Sequence, residues 1–129
     1  MAGKIVADTL EHSTAGSIAT NYVVEGSAKV YSLWDMADLS GTGGTTGIDT
    51  SFNVSSMDDD GAGDFGINFT NSFSSVNYTA TSATSGGARR VLTRSGTVTA
   101  SAMDGLTRND SNSNSDASGC SVTIHGDLA

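Results

Sequence analysis

Four carboxylates fall within one short stretch, Asp58-Asp59-Asp60-Gly61-Ala62-Gly63-Asp64. Such density suits a hard cation such as Ca2+, which gathers about six to eight oxygen ligands. Asp58, Asp60 and Asp64 are the candidate ligands. The EF-hand spacing is not met, because a loop opening at Asp58 places Ala62 at its fifth position and Phe69 at its twelfth. The competing reading is a solvated turn whose charges discourage pairing at a sheet edge. That second reading is preferred, and no metal or other cofactor is expected. The same segment contains Gly61-Ala62-Gly63-Asp64-Phe65-Gly66, formally a G-x-G-x-x-G. A dinucleotide fingerprint needs a strand before it and a helix after it, with helix-terminal amides facing pyrophosphate. Here aspartates precede it and a strand pattern follows, so the expectation is a hairpin turn.

The remaining reactive side chains are sparse. His12 and His125 are the only histidines and lie far apart in sequence. Without a cysteine partner they do not form a structural zinc motif, although symmetry in an oligomer would repeat each of them around an axis. Cys120 alternates with Val122 and Ile124, which marks a small core residue rather than an activated thiolate. Serines are too abundant for a Ser-His-Asp match to mean anything, and no G-x-S-x-G elbow occurs. No catalytic residue is expected. Arg89, Arg90 and Arg94 are half of the 6 Lys and Arg residues. They are candidate partner-binding residues, for an acidic patch on a neighbouring protein or an anionic glycan. An ion pair with the Asp-rich turn across a subunit boundary is the preferred role.

These residues must be positioned by a chain of 129 residues with a net charge of −8. That length is one domain. The acidic balance argues against nucleic acid, whose phosphates call for clustered Lys and Arg. No apolar run reaches the roughly 18–20 residues of a membrane span, so no membrane partner is expected. The first residues lack the apolar core of a secretory signal. Hydrophobic residues are only 36%, while Ser, Thr and Gly are plentiful and Pro is absent. Such residues bury little apolar area, whereas each ordered residue costs about 1–2 kcal/mol of backbone entropy. A lone cysteine allows no internal disulfide. Association into an oligomer is therefore expected.

The periodicities read as an all-β chain. Ile5-Val6-Ala7 and Tyr22-Val23-Val24 suggest short strands, and Thr9-Leu10-Glu11-His12 at most a single turn. Lys29 to Trp34 reads as a strand with apolar side chains on both faces, and hence covered on both sides. Ser40 to Gly47 is turn-rich. Ser51 to Met57 reads as one strand with Phe52 and Val54 on one face. After the Asp-rich turn, Phe65, Ile67 and Phe69 share a face with strict period two. Val76, Tyr78 and Ala80 point inward on the next strand. Arg89–Thr93 and Thr97–Met103 are two further strands or one bent strand, and 104–119 is a long loop. Cys120, Val122 and Ile124 alternate inward on the last strand. Seven or eight short strands at this spacing predict an antiparallel β-sandwich.

Two stretches carry a resemblance. Gly26-Ser27-Ala28-Lys29-Val30-Tyr31 and Ser51 to Thr70, with Asn77-Tyr78 and the ending Val122-Thr123-Ile124-His125-Gly126-Asp127, resemble a recurrent domain of tail-fibre and virion surface structural proteins of tailed bacteriophages of marine and cyanobacterial type. The resemblance covers about residues 4–84 and the end. Ser32-Leu33 stand where that family continues with aromatics, and Gly66 replaces a β-branched residue. The resemblance implies a jelly-roll-like β-sandwich knob, homotrimeric, on the surface of the virion. Residues 1–25 would be the N-terminal anchoring segment and 26–129 the knob. The expected function is non-enzymatic: a small fibre or knob for host-surface attachment, contacting other virion proteins and a host surface glycan. The alternative is a capsid decoration protein that stabilises the head. A small carbohydrate-active enzyme is disfavoured, since glycosidases need a convergent carboxylate pair in a cleft.

Overall fold

A computed structural model of the chain describes residues 6–85, 90–93 and 98–129. The described residues begin with an arm. Strands β1 (Thr9–His12) and β2 (Gly16–Ala19) pair only with each other and lead into a short helix, α1 (Thr20–Gly26). None of these residues is buried. The arm reverses two expectations, since Thr9–His12 is a strand and Tyr22-Val23-Val24 is helical. The hairpin closes through Gly16 at φ 93. There the His12 ring nitrogen accepts from the amides of Thr14 and Ala15. The helix is fixed at its start by Thr20, whose amide donates to the Asp8 carbonyl at 2.8 Å and whose hydroxyl donates to the Ala7 carbonyl at 2.7 Å. Those bonds override the strand preference of Val23-Val24. Val6 and Ala7 lie outside any strand, and Ile5 lies outside the described residues.

Two four-stranded antiparallel sheets follow. The first takes β3 (Val30–Trp34), β4 (Ile48–Phe52), β7 (Thr79–Ala83) and β10 (Cys120–His125), in the order β4-β3-β10-β7. The second takes β5 (Val54–Gly61), β6 (Asp64–Phe69), β8 (Arg90–Thr93) and β9 (Ala102–Arg108), in the order β5-β6-β9-β8. Both feed one core. Val30, Trp34, Cys120, Val122 and Ile124 come from the first sheet, and Met57, Phe65, Ile67, Phe69 and Met103 from the second. Each set follows the period-two rule, so alternate residues of every core strand are inside. The Trp34 and Phe65 rings meet at 5.0 Å. The chain is therefore mostly β with antiparallel sheets, as its periodicity predicts.

Several boundaries differ from expectation. Ser51–Met57 is not one strand: Phe52 ends β4 and Val54 opens β5, and the two strands belong to different sheets. Asn53 makes the corner at φ 58. Asn tolerates this left-handed region better than most residues, and its side chain is clamped to Asn71. Its carbonyl accepts from the Asn71 amide at 2.7 Å and the Asn71 side-chain nitrogen at 3.0 Å, and its own nitrogen donates to the Asn71 carbonyl at 3.0 Å. The expected turn Asp58–Asp64 contracts, because β5 runs on through Asp58, Asp59 and Asp60 to Gly61. The strand Val76–Thr81 starts only at Thr79, leaving Val76 exposed.

Residues 104–108, expected in a loop, are strand β9. Its inward positions beyond Met103 are Gly105 and Thr107, which hide the alternation. The Thr107 hydroxyl is satisfied by the Ser115 carbonyl at 2.7 Å. The same loop holds the tip of the β5–β6 hairpin. Gly63 (φ 67) donates to the Asp116 carboxylate at 2.7 Å and accepts from the Thr107 amide at 2.7 Å. A Cβ there would lie 2.4 Å from the Ser115 nitrogen, so only glycine fits.

Two substitutions test this frame. Phe69 is buried, with its ring edge-on to Phe73 at 5.2 Å and to Tyr78 at 5.8 Å. Phe69→Ala is expected to cost about 3–5 kcal/mol in urea unfolding, the usual cost of emptying a buried Phe site. A loss under about 1 kcal/mol would contradict its inward phase. Asn53→Ala is expected to cost about 1–3 kcal/mol through lost hydrogen bonds and a disfavoured φ. Asn53→Gly, which keeps the φ, is expected to cost less in the same assay.

Candidate functional site

The Asp-rich segment is spread along two strands rather than gathered. Asp58 is outward on β5 and sits in a cross-strand row with Gly66 and Asp104. One carboxylate oxygen of Asp58 accepts from the Gly43 amide and the other from the Asn68 side chain at 3.0 Å. The Asp59 carboxylate accepts from the Gly61 amide at 3.1 Å. Asp60 is exposed at the irregular end of β5, and Asp64 opens β6. Among the described residues, no group of three or more His, Cys, Asp or Glu side chains is placed to hold a metal ion. Their visible work is structural. The glycine-rich segment before β4 runs alongside β5, with Gly44 bridging Met57 and Gly41 accepting from the Asp59 amide at 2.8 Å. That contact covers an otherwise open sheet edge.

The formal G-x-G-x-x-G is the β5–β6 hairpin, with Gly61 and Gly63 at positive φ and Gly66 inside a strand. No helix follows it, so its amides make no helix-terminal phosphate cradle. His12 sits in the exposed arm hairpin, and His125 ends β10. Cys120 is fully buried, with its thiol donating to the Ala117 carbonyl at 3.2 Å. Arg89 and Arg94 lie outside the described residues, and of Arg90 only the backbone, which opens β8, is described. A shallow hollow lies on the arm hairpin against Leu10, Glu11, His12 and Ile18; no set of acid, base and nucleophile converges there. No described helix is long and apolar enough to cross a membrane.

A surface with more to offer lies on the outer face of the β4-β3-β10-β7 sheet. The register lays its outward side chains in rows. Phe52, Tyr31, Thr123 and Thr81 form one row, Thr50, Leu33, Ser121 and Ala83 the next, and His125 and Thr79 a third. None of these is Asp, Glu, Lys or Arg. At the rim, the Lys29 ammonium is taken up by the Val24 carbonyl and the Ser27 hydroxyl. Asp49 lies on the edge strand where the register slips between Leu33 and Trp34. Tyr31 is 43% exposed, Leu33 36% and Phe52 53%. The Tyr31 and Phe52 rings are stacked at 5.9 Å. The opposite sheet turns Asp58, Asp64 and Asp104 outward instead. The two-sided hydrophobicity of residues 29–34 was the legible signal for this face. Only one side of β3 is covered by the chain itself, which corrects the expectation that both are.

Comparison of the chain with known protein families, curated proteins and solved structures gives no significant match. Its chemistry therefore rests on its own geometry.

One titration is built into the core margin. The Tyr78 hydroxyl lies 3.0 Å from the carbonyls of both Thr99 and Ala102, and its ring stacks on Phe73 at 4.6 Å. Burial, with a smaller contribution from the Asp104 carboxylate, pushes its pKa from 10.0 up to about 12. A phenolate would also lose the proton it donates to those carbonyls. The folded state thus favours the neutral phenol, while the unfolded chain ionises near 10.0. Stability is fully present below that pH and falls as pH rises from 10 toward about 12. Tyr78→Phe is expected to flatten this decline in urea unfolding followed across the window. An unchanged slope would assign the decline to other groups.

Proposed function

We propose that this chain is a non-enzymatic structural subunit on the surface of a tailed-phage particle: a small β-sandwich knob that works as a homotrimer in host-surface attachment. The observation that carries the assembly reading is apolar surface left without cover. The arm exposes Leu10, Ile18, Tyr22, Val23 and Val24, and the outer sheet face exposes Tyr31, Leu33 and Phe52. Contiguous exposed apolar surface of this kind marks interaction sites. The phage assignment rests on the resemblance of Gly26–Tyr31, Ser51–Thr70 and the closing strand. The sandwich reading has support in the single core shared by two four-stranded sheets. Its strand order keeps β3–β4, β5–β6 and β8–β9 as hairpins within a sheet. The chain crosses between the sheets at β4–β5, β6–β7, β7–β8 and β9–β10.

In this reading, residues 1–25 anchor the subunit to its neighbour. The Ser-, Thr- and Asn-rich loops face outward, where weak polar contacts with a host surface glycan gain strength through valency. Arg89, Arg90 and Arg94 are kept as the candidate contacts to an anionic partner. The deciding measurement is the native mass of the full chain by light scattering at micromolar concentration. A trimer is expected. A monodisperse monomer would overturn the knob and leave the capsid decoration alternative, in which subunits meet only on the head.

A further inference from the structure

Resting on that assembly reading, we infer that the uncharged outer face of the β4-β3-β10-β7 sheet is the docking site for the arm, residues 6–26, of a second copy of this chain. The chain carries two apolar surfaces that it does not cover itself. One is flat and fixed, a four-stranded face with Tyr31, Leu33 and Phe52 on its β4–β3 side, Thr, Ser and Ala across most of the rest, and no Asp, Glu, Lys or Arg in its outward rows. The other projects: a hairpin and helix without one buried residue, with Tyr22 68% and Val24 56% exposed.

Charge selects the occupant. In a chain of net charge −8, two copies repel wherever carboxylates meet. The outward carboxylates Asp58, Asp64 and Asp104 are all on the other sheet. Carboxylates that could draw a basic partner are therefore on that face, beside the outward Arg108, and not in the rows of this one. The neutral face instead suits a partner that is itself acidic and carries an apolar segment needing cover, and this chain is such a partner. The arm's own Asp8, Glu11 and Glu25 meet no carboxylate in the outward rows of that face.

The face spans about 19 Å across its strands and about 16 Å along them, from ordinary strand spacings. One such contact is small beside the roughly 800 Å² per partner of a standard interface. Arm on face is a heterologous contact, and in a closed ring every subunit uses both surfaces. A ring therefore gives each subunit two contacts, in keeping with the expected trimer. A sheet-to-sheet contact would be isologous and would stop at a dimer.

The experiment uses two full-length variants, Leu33→Asp on the face and Tyr22→Asp on the arm. Ser111→Asp, in an exposed loop, is the charge-matched control. Each is checked for folding by near-ultraviolet circular dichroism and measured by sedimentation across a concentration series. Both variants are expected to weaken assembly at least 100-fold, with the control unchanged. Mixing the two is expected to restore one arm-on-face contact, seen as a 1:1 dimer at the upper end of the concentration series, because the intact arm of one fits the intact face of the other but no ring can close. Should Leu33→Asp not fold, Thr50→Asp places the same charge on the face without removing an apolar group. Loss of assembly with the face variant alone would overturn the arm's role in favour of a sheet-to-sheet dimer. Assembly unaffected by either variant would overturn the inference while leaving the oligomeric reading intact. A monomeric parent chain would remove both.

Discussion

The contact between Trp34 and Phe65, 5.0 Å between ring centres, is where the two sheets meet. Trp34 is fully buried at the end of β3, with its indole N–H donating to the Met36 sulfur at 3.3 Å. Phe65 enters from the start of β6, beside the hairpin that Gly63 and Asp116 tie down. In a chain with so little apolar material, large aromatic side chains each bury more area than any other residue and join the Met, Val, Ile and Leu side chains of the core. The second aromatic group, Phe69, Phe73 and Tyr78, closes the same interior at its other end. The Ser- and Gly-rich remainder serves mainly to route the backbone between these two points.

The strands that were legible in the sequence are those whose inward residues are all apolar. Phe65, Ile67 and Phe69 on β6, and Cys120, Val122 and Ile124 on β10, alternate cleanly and are buried as read. Strand β9 was hidden because a glycine and a hydroxyl occupy two of its inward places, made tolerable by the bond from Thr107 to the Ser115 carbonyl. The break at Asn53 was hidden for the opposite reason. Phe52-Asn53-Val54 alternates perfectly, and nothing in the local pattern reveals that its two halves belong to different sheets. Only the distant partner Asn71 fixes the corner. The arm misled because its local hydrogen bonds outweigh propensity when no core competes.

The candidate site was half visible. The acidic stretch stands out in the sequence, but its members are divided between two strands, with Asp58 and Asp59 bound to backbone amides and Asn68, which periodicity cannot show. The neutral sheet face was visible only as a strand with too many apolar residues. Its meaning depends on four strands from separate parts of the chain, whose outward rows exist only once the register is set. The partition of charge, carboxylates on one outer face and none in the outward rows of the other, is likewise a property of the assembled sheets.

The arm joins the domain at β3, and β3 lies between β4 and β10 rather than at an edge. Tension arriving through residues 20–29 therefore runs along a strand that is hydrogen-bonded on both sides. Those bonds are loaded together, in shear, and must fail together, whereas an edge strand pulled sideways would peel one bond at a time. A tether fixed to the middle of a sheet gives the domain mechanical strength that its modest core alone would not supply.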